Sequence, residues 1–200
     1  MSKRIIIING KGGIGKDTLI RAIATMPQSI EVYNESSIDP IRSMIARAFG
    51  GSLDEELSNA IKDKNNAYRT LLADMKKAVD NYYTAICGVK YTEEYLYRCA
   101  ADYSDDIGYY QDSSDDSVMF VHIREPENIK AFVERVKSKL PVKVATLLIT
   151  SNRAKKDYGN DSDNNVENYN YDFVYQSDGC ESYERENFRK FFLSEIMKWQ

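Results

Sequence analysis

Seven consecutive residues, Gly10-Lys11-Gly12-Gly13-Ile14-Gly15-Lys16, have the types and spacing that hold a phosphate chain, and Asp17 and Thr18 follow directly. Glycines let successive backbone N–H groups curl around an anion without Cβ clashes. The Gly-x4-Gly-Lys spacing predicts that Lys16 reaches the β- and γ-phosphates of a nucleotide, and Thr18 brings a hydroxyl near the α-phosphate. Such a loop needs a strand before it and a helix after it. Ile5 to Ile8 is a run of β-branched apolar residues, which predicts a buried strand. Leu19-Ile20-Arg21-Ala22-Ile23-Ala24 has helical spacing, and the positive end of that helix points at the same anion.

One position departs from the usual motif. The residue after the lysine is ordinarily Ser or Thr, whose hydroxyl ligates Mg²⁺. Here it is Asp17. A carboxylate is a legitimate Mg²⁺ ligand, and a negative charge beside phosphates makes sense with a cation between them. ATP and Mg²⁺ are therefore the expected cofactors, with Asp17 as the metal ligand.

Composition narrows the class. A chain of 200 residues with 42% hydrophobic content suits one domain, with room for an insertion. A net charge of −4 gives no footprint for a nucleic acid polymer. Cys87, Cys99 and Cys180 lack metal-ligand spacing, and a single histidine argues against a zinc site. They read as free thiols of a reducing cytosol. No apolar run approaches the roughly 18 residues of a membrane span, and the apolar start leads into the glycine loop rather than a signal-peptide cleavage site. The expectation is a cytoplasmic protein that works on small molecules, without a membrane or nucleic acid partner; a homodimer is left open.

The remaining elements must position that loop. Ser29 to Asn34 predicts a second strand, and Asp39-Pro40 starts a helix that carries Ile41, Met44, Ile45 and Ala48 on one face and stops at Gly50-Gly51. In a doubly wound sheet the loop beyond the second strand faces the phosphate loop. Ser36, Ser37, Asp39 and Arg42 are thus candidates for an acceptor substrate, with helix capping as the plain alternative. Two helices are expected between Leu53 and Ala85, one of them carrying Arg69 off its apolar stripe, as a phosphate ligand or as a solvated cation. Thr92 to Tyr103 predicts another helix. The aspartate-rich stretch Asp102 to Asp116 reads as a solvated loop. Val118 to Ile123 and Val142 to Ile149 predict the third and fourth strands, and Pro126 starts the helix between them. His122 is expected to pack in or beside the sheet. Ser151 to Tyr171 reads as a long polar loop with a basic entry, Arg153, Lys155 and Lys156, that suits a lid over phosphates. A fifth strand is expected over Tyr171 to Tyr175, and a last helix from about Ser182 to Trp199.

The Gly-Lys-Asp-Thr string resembles the phosphate loop of the bacteriophage deoxynucleoside monophosphate kinases, where Asp-Thr follows the lysine. Three later stretches extend the resemblance. Val121-His122-Ile123-Arg124-Glu125 occupies the place where that family ends a strand in an Asp-Thr-Arg type of sequence. Leu148 to Arg153 looks like its strand end opening a polar lid. Phe173 to Gly179 looks like its closing strand and Asn-Asp-Gly turn. The middle, about residues 50 to 115, does not align. His122 stands where the family has an aspartate, and Asp17, Asp39 and Glu125 are the carboxylates that can substitute.

The resemblance implies an α/β fold of the P-loop NTPase, nucleoside monophosphate kinase-like kind, with a five-stranded, mainly parallel sheet and helices on both faces. It implies a single domain over 1–200, a helical acceptor-binding insertion over about 52–116 and a lid over about 151–171. The implied reaction is ATP- and Mg²⁺-dependent phosphoryl transfer to a nucleoside or deoxynucleoside monophosphate. Lys16, Arg124 and Arg153 would neutralise charge on the transferring group, with Ser36, Ser37, Asp39, Arg42 and Arg69 on the acceptor. Two other functions fit the loop. Lys11-Gly12-Gly13-Ile14-Gly15-Lys16 also resembles the deviant phosphate loop of partitioning and septum-positioning ATPases, in which a second lysine acts across a dimer. A degenerate nucleotide-binding relative without kinase activity is the other.

Overall fold

The computed structural model describes residues 3–27, 30–48, 66–105, 116–151, 165–178 and 181–199. The Gly50-Gly51 helix stop, the first helix of the Leu53–Ala85 stretch, the aspartate run over 106–115, and the lid entry with Arg153 lie outside these residues. By contact density the chain falls into two compact units, Met1–Glu35 with Cys99–Gln200, and Ser36–Arg98.

The first unit is built on five parallel strands in the order β2-β3-β1-β4-β5. They are β1 (Lys3–Asn9), β2 (Ile30–Ser36), β3 (Asp116–His122), β4 (Lys143–Ser151) and β5 (Phe173–Ser177). β1 is central: Ile8 pairs with His122 of β3 on one side and Leu147 of β4 on the other. Ile5 to Ile8 are at most 1% exposed, as expected of a central parallel strand covered on both faces.

Alternation along the strands separates two faces. Ile6, Ile8, Val118, Phe120, Ala145, Leu147 and Ile149 pack on Leu19, Ile20 and Ile23 of helix α1 (Lys16–Ala24) and on Phe188 of helix α6 (Glu181–Phe191). Phe192 and Ile196, from the wider π turn Phe192–Ile196 that ends α6, join them. Each such fully buried large side chain contributes roughly 1.5–3 kcal/mol. Helix α5 (Pro126–Lys139) joins β3 to β4, crossing β1 in the direction opposite to the β1–α1–β2 connection. Because such crossovers are right-handed, α5 falls on the opposite face. Its Ile129, Phe132, Val133 and Val136 are buried, and Pro126 sits in its first turn as the sequence predicts.

The second unit holds helix α2 (Asp39–Ala48), helix α3 (Asn66–Cys87) and the start of helix α4 (Tyr91–Asp105). Ile41 and Ile45 of α2 pack on Tyr68 and Leu72 of α3. Asp80 of α3 is 7% exposed and accepts both the backbone N–H and the hydroxyl of Thr92 at 2.9 Å. A carboxylate held at a helix N-terminus also meets the positive end of the dipole.

Several boundaries differ from the sequence expectation, and three of them have a visible cause. The helix expected to end at Tyr103 runs on to Asp105, into the stretch read as a loop, with Leu96, Ala100 and Tyr103 of α4 buried at i, i+4, i+7. β5 starts at Phe173 rather than Tyr171, since the Asp172 carboxylate is occupied by the backbone N–H and hydroxyl of Thr146 (2.8 and 2.9 Å). The last helix ends with the π turn at Ile196, and Trp199 lies beyond it, its ring edge-on to Phe173.

Candidate phosphate-binding site

β1 connects towards the β3 side of the sheet, while its neighbour β4 connects to β5 on the other side. The crevice beyond the carboxyl ends of two strands that diverge in this way is where such sheets bind ligands. Residues 10 to 15 fill that place, between Asn9 at the end of β1 and Lys16 at the start of α1.

Glycine is required here at defined points. Gly10 has φ +146°, and a Cβ on it would lie 2.6 Å from the Ile149 carbonyl oxygen of β4. Gly15 caps α1 with φ +89° and no side-chain cap hydrogen bond, so the first turn of α1 opens to the loop through bare backbone. Gly12, Gly13 and Ile14 form the intervening turn, which Ile14 N–H closes on the Lys11 carbonyl at 3.4 Å.

The Lys16 ammonium folds back into the loop, donating to the carbonyls of Gly10 (2.5 Å) and Lys11 (3.2 Å). Lys11 points elsewhere: its Nζ pairs with Glu167 Oε1 at 3.1 Å. Asp17 presents a carboxylate whose side chain is 79% exposed, and its Oδ1 lies 3.7 Å from His122 Nε2. That ring nitrogen is 2.8 Å from Asn34 Oδ1. An amide oxygen only accepts, so Nε2 carries the proton and donates it to Asn34, while the Asp17 carboxylate lies nearby, beyond hydrogen-bond distance. His122, at the end of β3, thus does belong beside the sheet, but its ring reaches the loop.

Asn9 is fully buried and holds three segments together. Its Oδ1 accepts from Gly10 N–H at 2.8 Å. Its Nδ2 donates to the Arg124 carbonyl at 3.0 Å and to the Tyr171 hydroxyl at 2.7 Å. Tyr171 in turn donates to the Val166 carbonyl at 2.7 Å. Burial pushes the Tyr171 phenol up to about 12, against the opposing effect of its bond to Asn9. It is therefore a neutral donor and acceptor across the physiological range.

The structure thus gathers Gly10, Lys11, Gly12, Gly13, Ile14, Gly15, Lys16, Asp17 and Thr18 at one crevice, with exposed Arg124 following β3 beside them. The proposed acceptor residues lie in the second unit from Ser36 onwards. There Asp39 serves its own helix start: Oδ2 accepts from Ser36 N–H at 2.7 Å, and Oδ1 from Arg42 Nη1 at 2.9 Å. Ser36 Oγ lies 3.4 Å from Ile38 N, within the same turn. Ser37 is half-buried, and Arg69 projects to solvent next to buried Tyr68. Arg42 Nε and the Tyr68 hydroxyl are buried and make no hydrogen bond among the described residues.

Asn9, Asn34 and Tyr171 are the site residues that sequence reasoning does not supply, while His122 enters it only as the residue at the place of the resembled family's aspartate. Asn9 carries the one usable signal, a polar residue directly before Gly10 in an otherwise apolar run. Among the described residues no group of three or more His, Cys, Asp or Glu could hold a metal ion, and no helix is long and apolar enough to cross a membrane. The chain matches no family model and no curated protein.

Proposed function

We propose that the protein is a P-loop nucleotide kinase, transferring the γ-phosphoryl group of ATP to a nucleoside or deoxynucleoside monophosphate. The observation that carries this reading is the Lys16 ammonium curled into a glycine loop at the crevice beyond β1. A phosphate-binding loop is supported by the close approach of Gly10 to the Ile149 carbonyl, where a Cβ has no room and the backbone takes a conformation that glycine allows.

Phosphoryl transfer asks for positioning and charge neutralisation more than covalent chemistry. Lys16 would exchange its two carbonyl partners for β- and γ-phosphate oxygens, a gain because hydrogen bonds between charged groups are the stronger kind. Glycine-loop N–H groups and the first turn of α1 would hold the β-phosphate, and Thr18 the α-phosphate. Asp17 suits Mg²⁺, which is commonly held by one or two carboxylates together with substrate phosphates. Held by Asp17, the ion would supply neutralisation of the phosphate charge. His122, at the position of the resembled family's aspartate, is held by Asn34 with its ring 3.7 Å from the Asp17 carboxylate, a polar neighbour for that group. Arg124 and Arg153 would meet charge developing on the transferring group. Arg42 and Arg69, with Ser36, Ser37 and Asp39, are the acceptor-binding assignment.

The Lys11–Glu167 pair within one chain favours this reading over the switch ATPase, whose second lysine must be available to a partner subunit. The test is a panel of nucleoside and deoxynucleoside monophosphates with ATP and Mg²⁺, read as diphosphate formed. Slow hydrolysis alone, at a rate no acceptor changes, would sink the kinase assignment.

A further inference from the structure

The Asn9 amide has no place in the proposed chemistry, yet it is fully buried, and both its N–H donors and its carbonyl oxygen are engaged across the sheet's carboxyl edge. Buried amides of this kind are costly unless fully partnered, so their geometry is sharply defined. Here one partner is the N–H of the first loop glycine, the second is the backbone of Arg124, and the third is a phenol that comes from the 165–171 segment. The phenol completes the chain by donating to Val166. Two further ties fix the same segment: Lys11 to Glu167 at 3.1 Å, and Asp172 to Thr146 on β4.

We propose that Asn9 and Tyr171 are positioning residues of the phosphate site, an amide–phenol relay that sets the Gly10 N–H and the Arg124 backbone in register from the 165–171 segment. Neither touches the nucleotide. Tyr171 is required as a hydroxyl and not merely as a ring, because only the hydroxyl accepts from Asn9 and donates to Val166 together. Without it, Asn9 Nδ2 and the Val166 carbonyl lose their shared partner, and the loop shifts to find another. The functional consequence rests on the nucleotide reading above; the geometry of the relay does not.

Tyr171→Phe tests this, with Tyr103→Phe as its match. Tyr103 also carries a buried hydroxyl on β1, but at the opposite end, bonded to Arg4 N–H (3.1 Å) and Ser117 Oγ (3.0 Å). Two readouts are taken: calorimetric titration with MgADP, and hydrogen exchange of the peptide covering residues 9–15. Tyr171→Phe is expected to weaken MgADP binding about tenfold, the scale of one buried hydrogen bond with its unsatisfied partner, and to speed exchange over 9–15. Tyr103→Phe should do neither, at a similar loss of melting temperature. Asn9→Asp, which keeps the acceptor for Gly10 N–H but replaces both N–H donors with a buried carboxylate oxygen, should speed exchange over 9–15 at least as much as Tyr171→Phe. Unchanged exchange over 9–15 in Tyr171→Phe would overturn the relay, as would equal effects of the two tyrosine variants on MgADP. A wild type that binds no MgADP, with exchange responding to Tyr171→Phe alone, would uphold the relay as the device that sets the loop while removing the nucleotide reading.

Discussion

Lys11 and Lys16 sit on one loop, and their surroundings separate their roles. Lys16 is held by two loop carbonyls, at the place where a phosphate chain would lie. Lys16→Ala should nearly abolish activity, since a hydrogen bond to a charged group is worth roughly 1.5–3 kcal/mol before any transition-state role is added. Lys11 is paired with a Glu167 side chain that is 58% exposed, and such pairs contribute about 0–1 kcal/mol. Lys11→Ala should therefore keep most of kcat/KM. Equal loss in both, with ATP-dependent dimerisation of the wild type, would point to the switch ATPase instead. Arg124 belongs to a third category, a cation at a strand end whose backbone is fixed by Asn9. Arg124→Ala is expected to lower kcat about tenfold to a thousandfold with little change in ATP affinity. A rise in the ATP dissociation constant with kcat intact would make it a docking residue.

At the scale of elements, two glycines of the loop should respond differently to the same substitution. Gly10→Ala meets both an unfavourable φ and a carbonyl oxygen at 2.6 Å, so strain and overpacking add, each on the order of 1–3 kcal/mol. Gly15→Ala meets open space and pays only for its φ, about 1–2 kcal/mol. Urea unfolding of the two variants should rank them in that order. Asp80→Ala should cost about 2–3 kcal/mol, because a charged acceptor of two buried Thr92 donors is lost; an unchanged midpoint would mean that α3 and α4 dock without it. These elements also show what the sequence reveals on its own. The Ile5–Ile8 strand and the Pro126 helix start are visible because their signals are local. Residues 104 and 105 are harder, since the aspartates around them suggest solvent and the last buried position of α4, Tyr103, comes before them. Tyr171 escapes altogether: a side-chain bond between residues 162 apart leaves no periodicity to detect.

At the scale of the molecule, burial of phenols links stability to alkaline pH. Burial is the first cause raising Tyr171 (to about 12), Tyr175 and Tyr103 above the ordinary value of 10.0. A group whose folded pKa is raised contributes stability that is complete below the unfolded value and is lost as pH climbs through the folded value. Stability should thus be flat up to about pH 10 and fall between pH 10 and 12, as unfolding comes to release these protons. Urea midpoints at pH 9 and 11 measure this, and Tyr171→Phe should show a shallower fall. A midpoint that does not move over that range would mean the three phenols ionise in the folded protein as easily as in water.

The order β2-β3-β1-β4-β5 has a further consequence, in time. The central strand is the earliest made, and Asn9 waits for partners 115 and 162 residues later in the chain. At typical synthesis rates of about 5–20 residues per second, that is roughly 8 to 32 s between Asn9 and Tyr171. For about the first two thirds of this interval, until β3 is made at Asp116–His122, a run of four isoleucines has neither neighbour in the sheet. The binding loop, encoded first, is completed late, and nascent chains stalled before Tyr171 should be the ones that recruit a chaperone and fail to hold MgADP.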